Sequence, residues 1–382
     1  MLTDPEAARP AAAFATPHRP FDGVRSIAVL RGGGLGDLMF AVPALEALHA
    51  TYPGAEIVLL GSPLHAEVLP GRCAAVHRVE VLPVAAGVRD GEPDPSAVDA
   101  FFSRLAGSVD LAVQVHGGGR NSNPFLKRLG ARHTVGTRTE DAEPLERALH
   151  YVYYQHEVIR ALEVATLAGA APVSLEPRIV PTREDLRAGE AATAALTGPV
   201  LAVHPGATDP RRRWAPERFA EIAAKHASAG GGVVVIGGEA EAETAARIAG
   251  LARDAAGAEA GSVALRAGDL SISELVGILA TADVFAGNDS GPRHLAQAVG
   301  TATASVYWFG NLINAGPLER GRHRVQLAWT THCPVCGRDA TQVGWTAEHC
   351  GHDVSFVDDV PAASVWEDVA SLTARTPLPH GR

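Results

Sequence analysis

Asp37 closes a turn, Arg31-Gly32-Gly33-Gly34-Leu35-Gly36-Asp37, whose residue types allow three kinds of chemistry. Four glycines let a backbone approach a ligand closely. The helix start behind them offers unpaired amides and a positive dipole end. The acid can cap that helix or take a proton from a substrate. A dinucleotide cradle fits less well, because it needs G-x-G-x-x-G and an acid at the end of the second strand. Here Gly32, Gly34 and Gly36 alternate, and the second apolar segment runs into Gly61-Ser62-Pro63 without an acid. Cap and base both stay open for Asp37.

Four further constellations carry chemistry. In His204-Pro205-Gly206-Ala207-Thr208-Asp209-Pro210-Arg211-Arg212-Arg213-Trp214, an apolar strand runs into a glycine turn, a hydroxyl and three guanidiniums. Hydroxyl, guanidinium and helix-start amides together suit a diphosphate, and a solvated charge run is the bland alternative. In Gly287-Asn288-Asp289-Ser290-Gly291-Pro292-Arg293-His294, polar residues follow a strand and Pro292 stands where a helix begins. Asp289 could accept hydrogen bonds from sugar hydroxyls, and a lone His294 reads first as a structural hydrogen-bonder. Glu239 and Glu241 follow a Val/Ile strand, where an acid can hold a ribose diol or simply start a solvated helix. The polar, glycine-rich stretch 114–123 offers Arg120 for an anionic ligand, or is an ordinary mobile loop.

The four cysteines are Cys73, Cys333, Cys336 and Cys350. Cys333-Pro334-Val335-Cys336 with Cys350-Gly351-His352 spells a Cys₃His set suited to structural zinc, though a C-x-x-C can also be two free thiols. His332 and His349 compete with His352 as the fourth ligand.

These groups need rigid elements behind them. Apolar runs at Ser26–Leu30, 55–60, 76–81 and 111–115 alternate with helical patterns, among them Glu157–Leu167. That alternation argues for an α/β fold with a parallel sheet and crossover helices. An extended, proline-flanked stretch at 176–182 follows, and then the pattern restarts: strands at Val200–His204, 232–237, 263–265, 284–287 and 303–308, helices at 217–227, 239–252 and 271–280, and one from Pro292. Ser271 and Glu274 fit a capping box. Two doubly wound Rossmann-like halves are expected, facing a cleft: residues 23–180 and 181–360, the second with a Cys-rich segment at 330–357. Residues 1–22 read as a disordered tail, and 361–382 as a helix able to dock on the first domain. At 382 residues and 46% hydrophobic, the chain is long enough for two cores. A net charge of -10 argues against non-specific nucleic-acid binding but not against a local anion pocket. No apolar run reaches membrane-spanning length and the N-terminus lacks an apolar signal core, so a cytoplasmic protein is expected.

Three stretches together resemble glycosyltransferase family 9, the family of the ADP-heptose:lipopolysaccharide heptosyltransferases. They are the segment 29–37 with Pro43-Ala44-Leu45, the segment from His204 to Trp214, and Asn288-Asp289-Ser290-Gly291-Pro292-Arg293-His294-Leu295-Ala296. The resemblance runs from about residue 26 to residue 308. It implies a GT-B fold and inverting transfer of a sugar, usually heptose from ADP-heptose, without a catalytic metal. It maps the general base onto Asp37. The phosphate-holding cation falls on Arg212, where the family usually has Lys, and the phosphate-contacting hydroxyl on Thr208. The donor loop becomes Asp289, Ser290 and Gly291 with His294, and the ribose acid Glu239 or Glu241. Gly34, Gly36 and Arg120 would then line the acceptor side.

Residue chemistry agrees with that mechanism. Inverting transfer needs a base near the acceptor hydroxyl and positive charge on the departing diphosphate. No D-x-D triplet occurs, which suits a transferase that uses protein charge rather than Mg²⁺. A structural zinc is the one cofactor the residues suggest. The acceptor stays open among a saccharide, a glycolipid and a small molecule, with peripheral membrane contact allowed. Two other readings remain: a GT-B epimerase or hydrolase, for which His116 and His294 are the only extra acid/base hints, and a catalytically silent nucleotide-sugar-binding protein.

Overall fold

The computed structural model describes residues 16–257, 262–341 and 350–374. The chain forms two compact units, Met1–Arg178 and Ile179–Arg382, with the division two residues before the expected boundary.

In the first unit the order is β1 (Ser26–Leu30), α1 (Leu35–Thr51), β2 (Glu56–Gly61), α2 (Pro63–Val68), β3 (Arg78–Val81), α3 (Pro95–Leu105), β4 (Leu111–Gln114), α4 (Ser122–Lys127), β5 (His133–Arg138), β6 (Arg147–His150) and α5 (Glu157–Leu167). The six strands pair in parallel in the order β3-β2-β1-β4-β5-β6. Central strands β1, β2 and β4 are buried almost throughout, which is why they read as apolar runs. Helix α1 buries Leu38, Val42, Leu45 and Leu48, the face expected of it, and also Met39, Ala41, Ala44 and Ala47. The N-terminal stretch, expected to be disordered through residue 22, is held from residue 18 onward. His18 N–H donates to the Thr166 carbonyl at 2.9 Å, and buried Phe21 stacks on His133 beneath the Arg147 guanidinium. Residues 1–15 of that tail lie outside the described residues.

The second unit runs α6 (Arg183–Thr193), β7 (Val200–His204), a 3₁₀ turn (Pro210–Arg212), α7 (Pro216–Ser228), β8 (Gly232–Gly238), a second 3₁₀ turn (Glu239–Glu241), α8 (Ala242–Ala256), β9 (Val263–Gly268), α9 (Ile272–Thr281), β10 (Val284–Asn288), α10 (Gly291–Ala298), β11 (Ala302–Trp308), α11 (Phe309–Ala315), β12 (His323–Ala328) and α12 (Ala362–Thr373). Its sheet is again six-stranded and parallel, in the order β12-β11-β10-β7-β8-β9. The Ser271–Glu274 capping box is present in both directions. Helix α12 corrects an expectation. Val365, Val369 and Leu372 pack into the second unit's own core with Trp214, Val306 and Phe356, so this helix completes the domain that precedes it.

Read from its second strand pair outward, each sheet has the order 3-2-1-4-5-6. In such a sheet ligands bind outside the strand ends where the order reverses. Those reversal points lie at β1/β4 and at β7/β10. Four of the five chemistry-bearing stretches identified in the sequence follow these four strands, and the fifth, with Glu239 and Glu241, follows β8.

Candidate functional site

The first unit's reversal point is built around Asp37. Arg31 leaves β1 with its guanidinium nearly buried. Its Nη2 donates to Asp37 Oδ1 at 2.6 Å, and its Nη1 to the Val115 carbonyl at 2.7 Å and to Glu157 Oε2 at 3.2 Å. Glu157 also pairs with Arg160, so charges alternate along Asp37, Arg31, Glu157 and Arg160. The other Asp37 oxygen accepts the Gly34 N–H at 2.9 Å, closing the cap of α1. The glycines make room for this carboxylate. Gly33 has φ +92°, and a Cβ there would sit 2.4 Å from Asp37 Oδ2. A Cβ on Gly32 would meet the Val88 carbonyl at 2.6 Å.

Burial raises the Asp37 pKa, but the Arg31 guanidinium and the Gly34 amide outweigh it and leave the carboxyl below its ordinary value. Two imidazoles flank it and are held neutral, chiefly by burial. His116 takes the Gly32 N–H on Nδ1 at 3.1 Å and lies 3.1 Å from the Gly87 carbonyl through Nε2. His65 takes the Ser62 N–H on Nδ1 and reaches the Gly34 carbonyl through Nε2. The Asp37 side chain keeps 46% exposure, so an ionised carboxylate faces solvent beside neutral neighbours. Of the two readings set by the sequence, the cap is formed, and the exposed part of the same carboxylate leaves the base reading compatible with it. Arg120, the acceptor candidate, is exposed and lies 3.5 Å from Asp141.

At the second unit's reversal point, Asn288 clamps the turn after β7. Its Oδ1 accepts the Trp214 N–H at 3.1 Å and its Nδ2 donates to the Pro205 carbonyl at 2.6 Å. The structure separates the three arginines. Arg211 forks onto Asp209, Arg213 donates to the Ala207 carbonyl, and Arg212 alone reaches the loop after β10, with Nη1 3.0 Å from Asp289 Oδ2. Asp289 was expected to meet sugar hydroxyls. Both of its oxygens are instead engaged inside the protein, Oδ2 by Arg212 and Oδ1 by His294 Nε2 at 3.0 Å. Burial raises its pKa, but His294 and Arg212 outweigh that and lower it. His294 is itself buried behind Asp289.

Ser290 stands at the N-cap position of α10 with no side-chain bond to the helix, and its Oγ lies 3.3 Å from Nδ1 of buried His204, whose pKa burial lowers to about 4. Glu241 accepts the Gly238 N–H at 2.9 Å and lies against Gly206, where a Cβ would come within 2.8 Å of it. Glu239 and Thr208 are exposed.

Cys333, Cys336, Cys350 and His352 converge, with all four ligand atoms within 4.8 Å of one another. Tetrahedral Zn–S bonds of about 2.3 Å would put sulfurs ~3.8 Å apart, so the set fits a metal with little contraction. The Cys336 backbone amide leads the contacts that lower the Cys333 thiol to about 6, favouring the thiolate that a metal requires. His332 is exposed and contacts Thr331, whereas His349 lies outside the described residues. The strap after this cluster lies on the turn after β7: Phe356 N–H donates to the Arg211 carbonyl at 2.7 Å and Trp214 Nε1 to the Val360 carbonyl at 3.0 Å.

Sequence reasoning missed Arg31 as a partner of Asp37, and with it Glu157, Arg160 and His65. Arg31 stood in the motif and was recoverable. Glu157 lies 126 residues away, and no local pattern links the two.

Comparison with known proteins bears on the family and the fold. The model of glycosyltransferase family 9 (heptosyltransferase) matches residues 107–338, more than half of the chain. The structure of E. coli ADP-heptose lps heptosyltransferase II superposes with a TM-score of 0.68 at 18% identity, over 91% of this chain and 98% of its own. E. coli heptosyltransferase WaaC with ADP gives 0.63 at 19%, over 91% and 99%. The iron-containing dodecameric glycosyltransferase TibC from enterotoxigenic E. coli gives 0.56 at 15%, over 93% and 80%. At these identities the likeness shows the fold, the GT-B type. No curated protein sequence matches.

Proposed function

Since the chain belongs to glycosyltransferase family 9 and is a glycosyltransferase, we propose that it moves a sugar, with inversion, from a nucleotide diphosphate sugar to an acceptor hydroxyl, and that the donor is ADP-heptose. The observation that carries this reading is the pair of reversal points. One holds an ionised, half-exposed carboxylate, and the other holds the single arginine that reaches the loop opening α10. Asp37 takes the acceptor's proton. The acceptor oxygen forms the new bond to the anomeric carbon as the bond to phosphate breaks, and the electron pair leaves on the diphosphate. Arg212, Thr208, Ser290 and Gly291 stabilise that developing charge. A carboxyl with a lowered pKa is a weak base, so transfer is late, when the hydroxyl has become acidic. Glu239 or Glu241 holds the ribose, and Gly34, Gly36 and Arg120 bound the acceptor, a saccharide, glycolipid or small molecule. The ADP assignment draws on the heptosyltransferases matched above.

The epimerase and hydrolase reading loses its support, because the nitrogens of His116 and His294 are spent on protein partners. Among the described residues no helix is long and apolar enough to cross a membrane.

Cys333, Cys336, Cys350 and His352 would hold a structural Zn²⁺, which would cross-link the C-x-x-C knuckle to Cys350 and His352. Iron is the second reading, favoured by the iron of TibC. Metal analysis of purified protein separates the two.

The test of function is a thermal-shift panel followed by turnover. Stabilisation by ADP over UDP and GDP, and heptose transfer or donor hydrolysis that Asp37→Ala abolishes while ADP binding persists, is the expected result. Full turnover by Asp37→Ala would reject the base, and preference for UDP or GDP would reject the donor.

A further inference from the structure

The turn that carries Asp37 has few side chains of its own. Gly32, Gly33 and Gly34 follow one another, and glycines in sequence leave a backbone free to take many shapes. The pose of Asp37 therefore depends on groups from outside the turn. Two of them are imidazoles brought in by later elements: His65 from α2, and His116 from the loop just after β4.

Each ring meets the backbone through both nitrogens, and the polarity of one contact settles the other. A backbone N–H can only donate. His116 Nδ1 lies 3.1 Å from the Gly32 nitrogen, so Nδ1 is the acceptor and the ring's proton sits on Nε2, which donates to the Gly87 carbonyl at 3.1 Å. His65 Nδ1 likewise accepts the Ser62 N–H at 3.2 Å, and its Nε2–H donates to the Gly34 carbonyl at 3.2 Å, with the Gly33 backbone as a further contact. Burial keeps both rings neutral, as this pattern requires. Glycines make room for them. A Cβ on Gly61 would stand 2.6 Å from His65 Nδ1, and one on Gly32 would stand 3.0 Å from His116 Cε1.

The two rings hold opposite ends of the glycine run. His116 takes Gly32 by its N–H. His65 takes Gly34 by its carbonyl, while Asp37 Oδ2 accepts the N–H of that same Gly34. We propose that His116 and His65 are positioning residues: an acceptor nitrogen at one end and a donor N–H at the other clamp the Gly32–Gly34 backbone, and through it fix the place of the Asp37 carboxylate. This rests on the reading of Asp37 as the base given above.

The clamp uses the δ nitrogen of His116 but the ε nitrogen of His65, so the amide substitutions that preserve it are opposite at the two positions. Asn puts its carbonyl oxygen where Nδ1 was, and Gln puts its amide nitrogen where Nε2 was. His116→Asn and His65→Gln should keep the clamp, and His116→Gln and His65→Asn should break it. In the full chain, the breaking pair should lose about tenfold or more of the transfer rate at saturating substrates, and the keeping pair should stay within about threefold. ADP affinity should stay within about twofold in all four, since no donor-binding group proposed above belongs to this unit. Hydrogen exchange at the Gly34 amide, which reports the Asp37 cap directly, should speed up in the breaking pair alone. Imidazole ¹⁵N spectra of wild type should show both rings as neutral Nε2–H tautomers. Equal losses for the two substitutions at either position, the reverse order, or an Nδ1–H ring in wild type would overturn the clamp. If wild type transfers no sugar, the base reading fails instead, and exchange and the spectra still decide the clamp. The spectra need no variant, so they also decide it if a substitution does not fold.

Discussion

Arg212→Ala removes the one guanidinium of three that reaches the loop after β10, and its effects follow from what it leaves behind. Asp289 is 2% exposed and would lose its arginine partner while keeping His294. Breaking a buried pair from one side costs about 3–5 kcal/mol, and the 22% exposure of Arg212 lets water make good part of that, so we expect a stability loss of ~2–3 kcal/mol. Loss of a charge-assisted contact to phosphate is worth ~1.5–3 kcal/mol, or about ten- to a hundredfold in ADP affinity. Transfer should fall by a further ~10²–10³, because the charge on the leaving group grows in the transition state. Calorimetry with ADP, single-turnover rates and urea unfolding measure the three effects separately. Arg211→Ala and Arg213→Ala are the controls, since their guanidiniums are committed to Asp209 and to the Ala207 carbonyl. Asp289→Asn combined with Arg212→Ala should give a coupling of about 1–3 kcal/mol in a double-mutant cycle. If Arg212→Ala binds ADP within twofold of wild type, or if Arg211→Ala harms binding as much, the assignment of Arg212 is wrong.

Other consequences are as specific. The lowered pKa of Asp37 puts the acid limb of the transfer rate below the ordinary carboxylate range, and Arg31→Met, which removes the cation responsible, should move that limb upward; a pH–rate profile with no movement would show that Arg31 does not set it. Asp289, also lowered, contributes stability that is fully present above its unfolded value of about 3.9 and is lost as pH falls through its folded value, so acid unfolding monitored by circular dichroism should be shallower in Asp289→Asn. Gly277→Ala should cost about 3 kcal/mol in urea unfolding, because its Cβ would stand 1.9 Å from the Asp185 carbonyl and neither backbone can give way, whereas Gly250→Ala, with nothing within 4 Å, should be neutral or stabilising. Chelation, or Cys333→Ser, should release one metal per chain and lower the melting temperature, with protease cleavage in segment 330–357; a metal-free wild type with the same melting temperature would remove the metal from the account.

How much of this was legible in the sequence depended on which strands have both faces covered. Central strands such as β1, β7 and β10 are buried throughout or nearly so, and their unbroken apolar runs gave their positions to within a residue. Strands β5, β6 and β12 went unread because polar and charged residues break their apolar runs, β5 (His133–Arg138) from an interior place in its sheet and the other two from sheet edges. Arg147–His150 and His323–Ala328 are only partly buried and carry arginine and histidine where a central strand carries valine. The same limit applies to the sites. Asp37 and Arg31 are six residues apart, and Cys333 and Cys336 share a knuckle, so local spacing reveals them. The pairs Arg31–Glu157 and Arg212–Asp289 are made by sheet topology and have no local signature.

On the proposed function, cap and base are two descriptions of one arrangement at Asp37. Capping needs the carboxylate folded back onto Gly34, and that pose requires Gly33 at positive φ, with no side chain where Asp37 lies. The pose turns Oδ1 toward Arg31, which keeps the group ionised, and leaves nearly half of the side chain in water. A free aspartate on a flexible turn would be a stronger base but an unplaced one. The cap exchanges basicity for a fixed position, and an inverting displacement, in which the hydroxyl becomes acidic only as its bond to carbon forms, needs position more than basicity. Asp37→Glu separates the two: it keeps the charge and raises basicity slightly, but its longer stem cannot close the Gly34 cap in the same pose. If position governs, Asp37→Glu should lose most of the transfer rate, about 10² or more, while ADP affinity stays within twofold. If it transfers as fast as wild type, the cap is incidental to the chemistry.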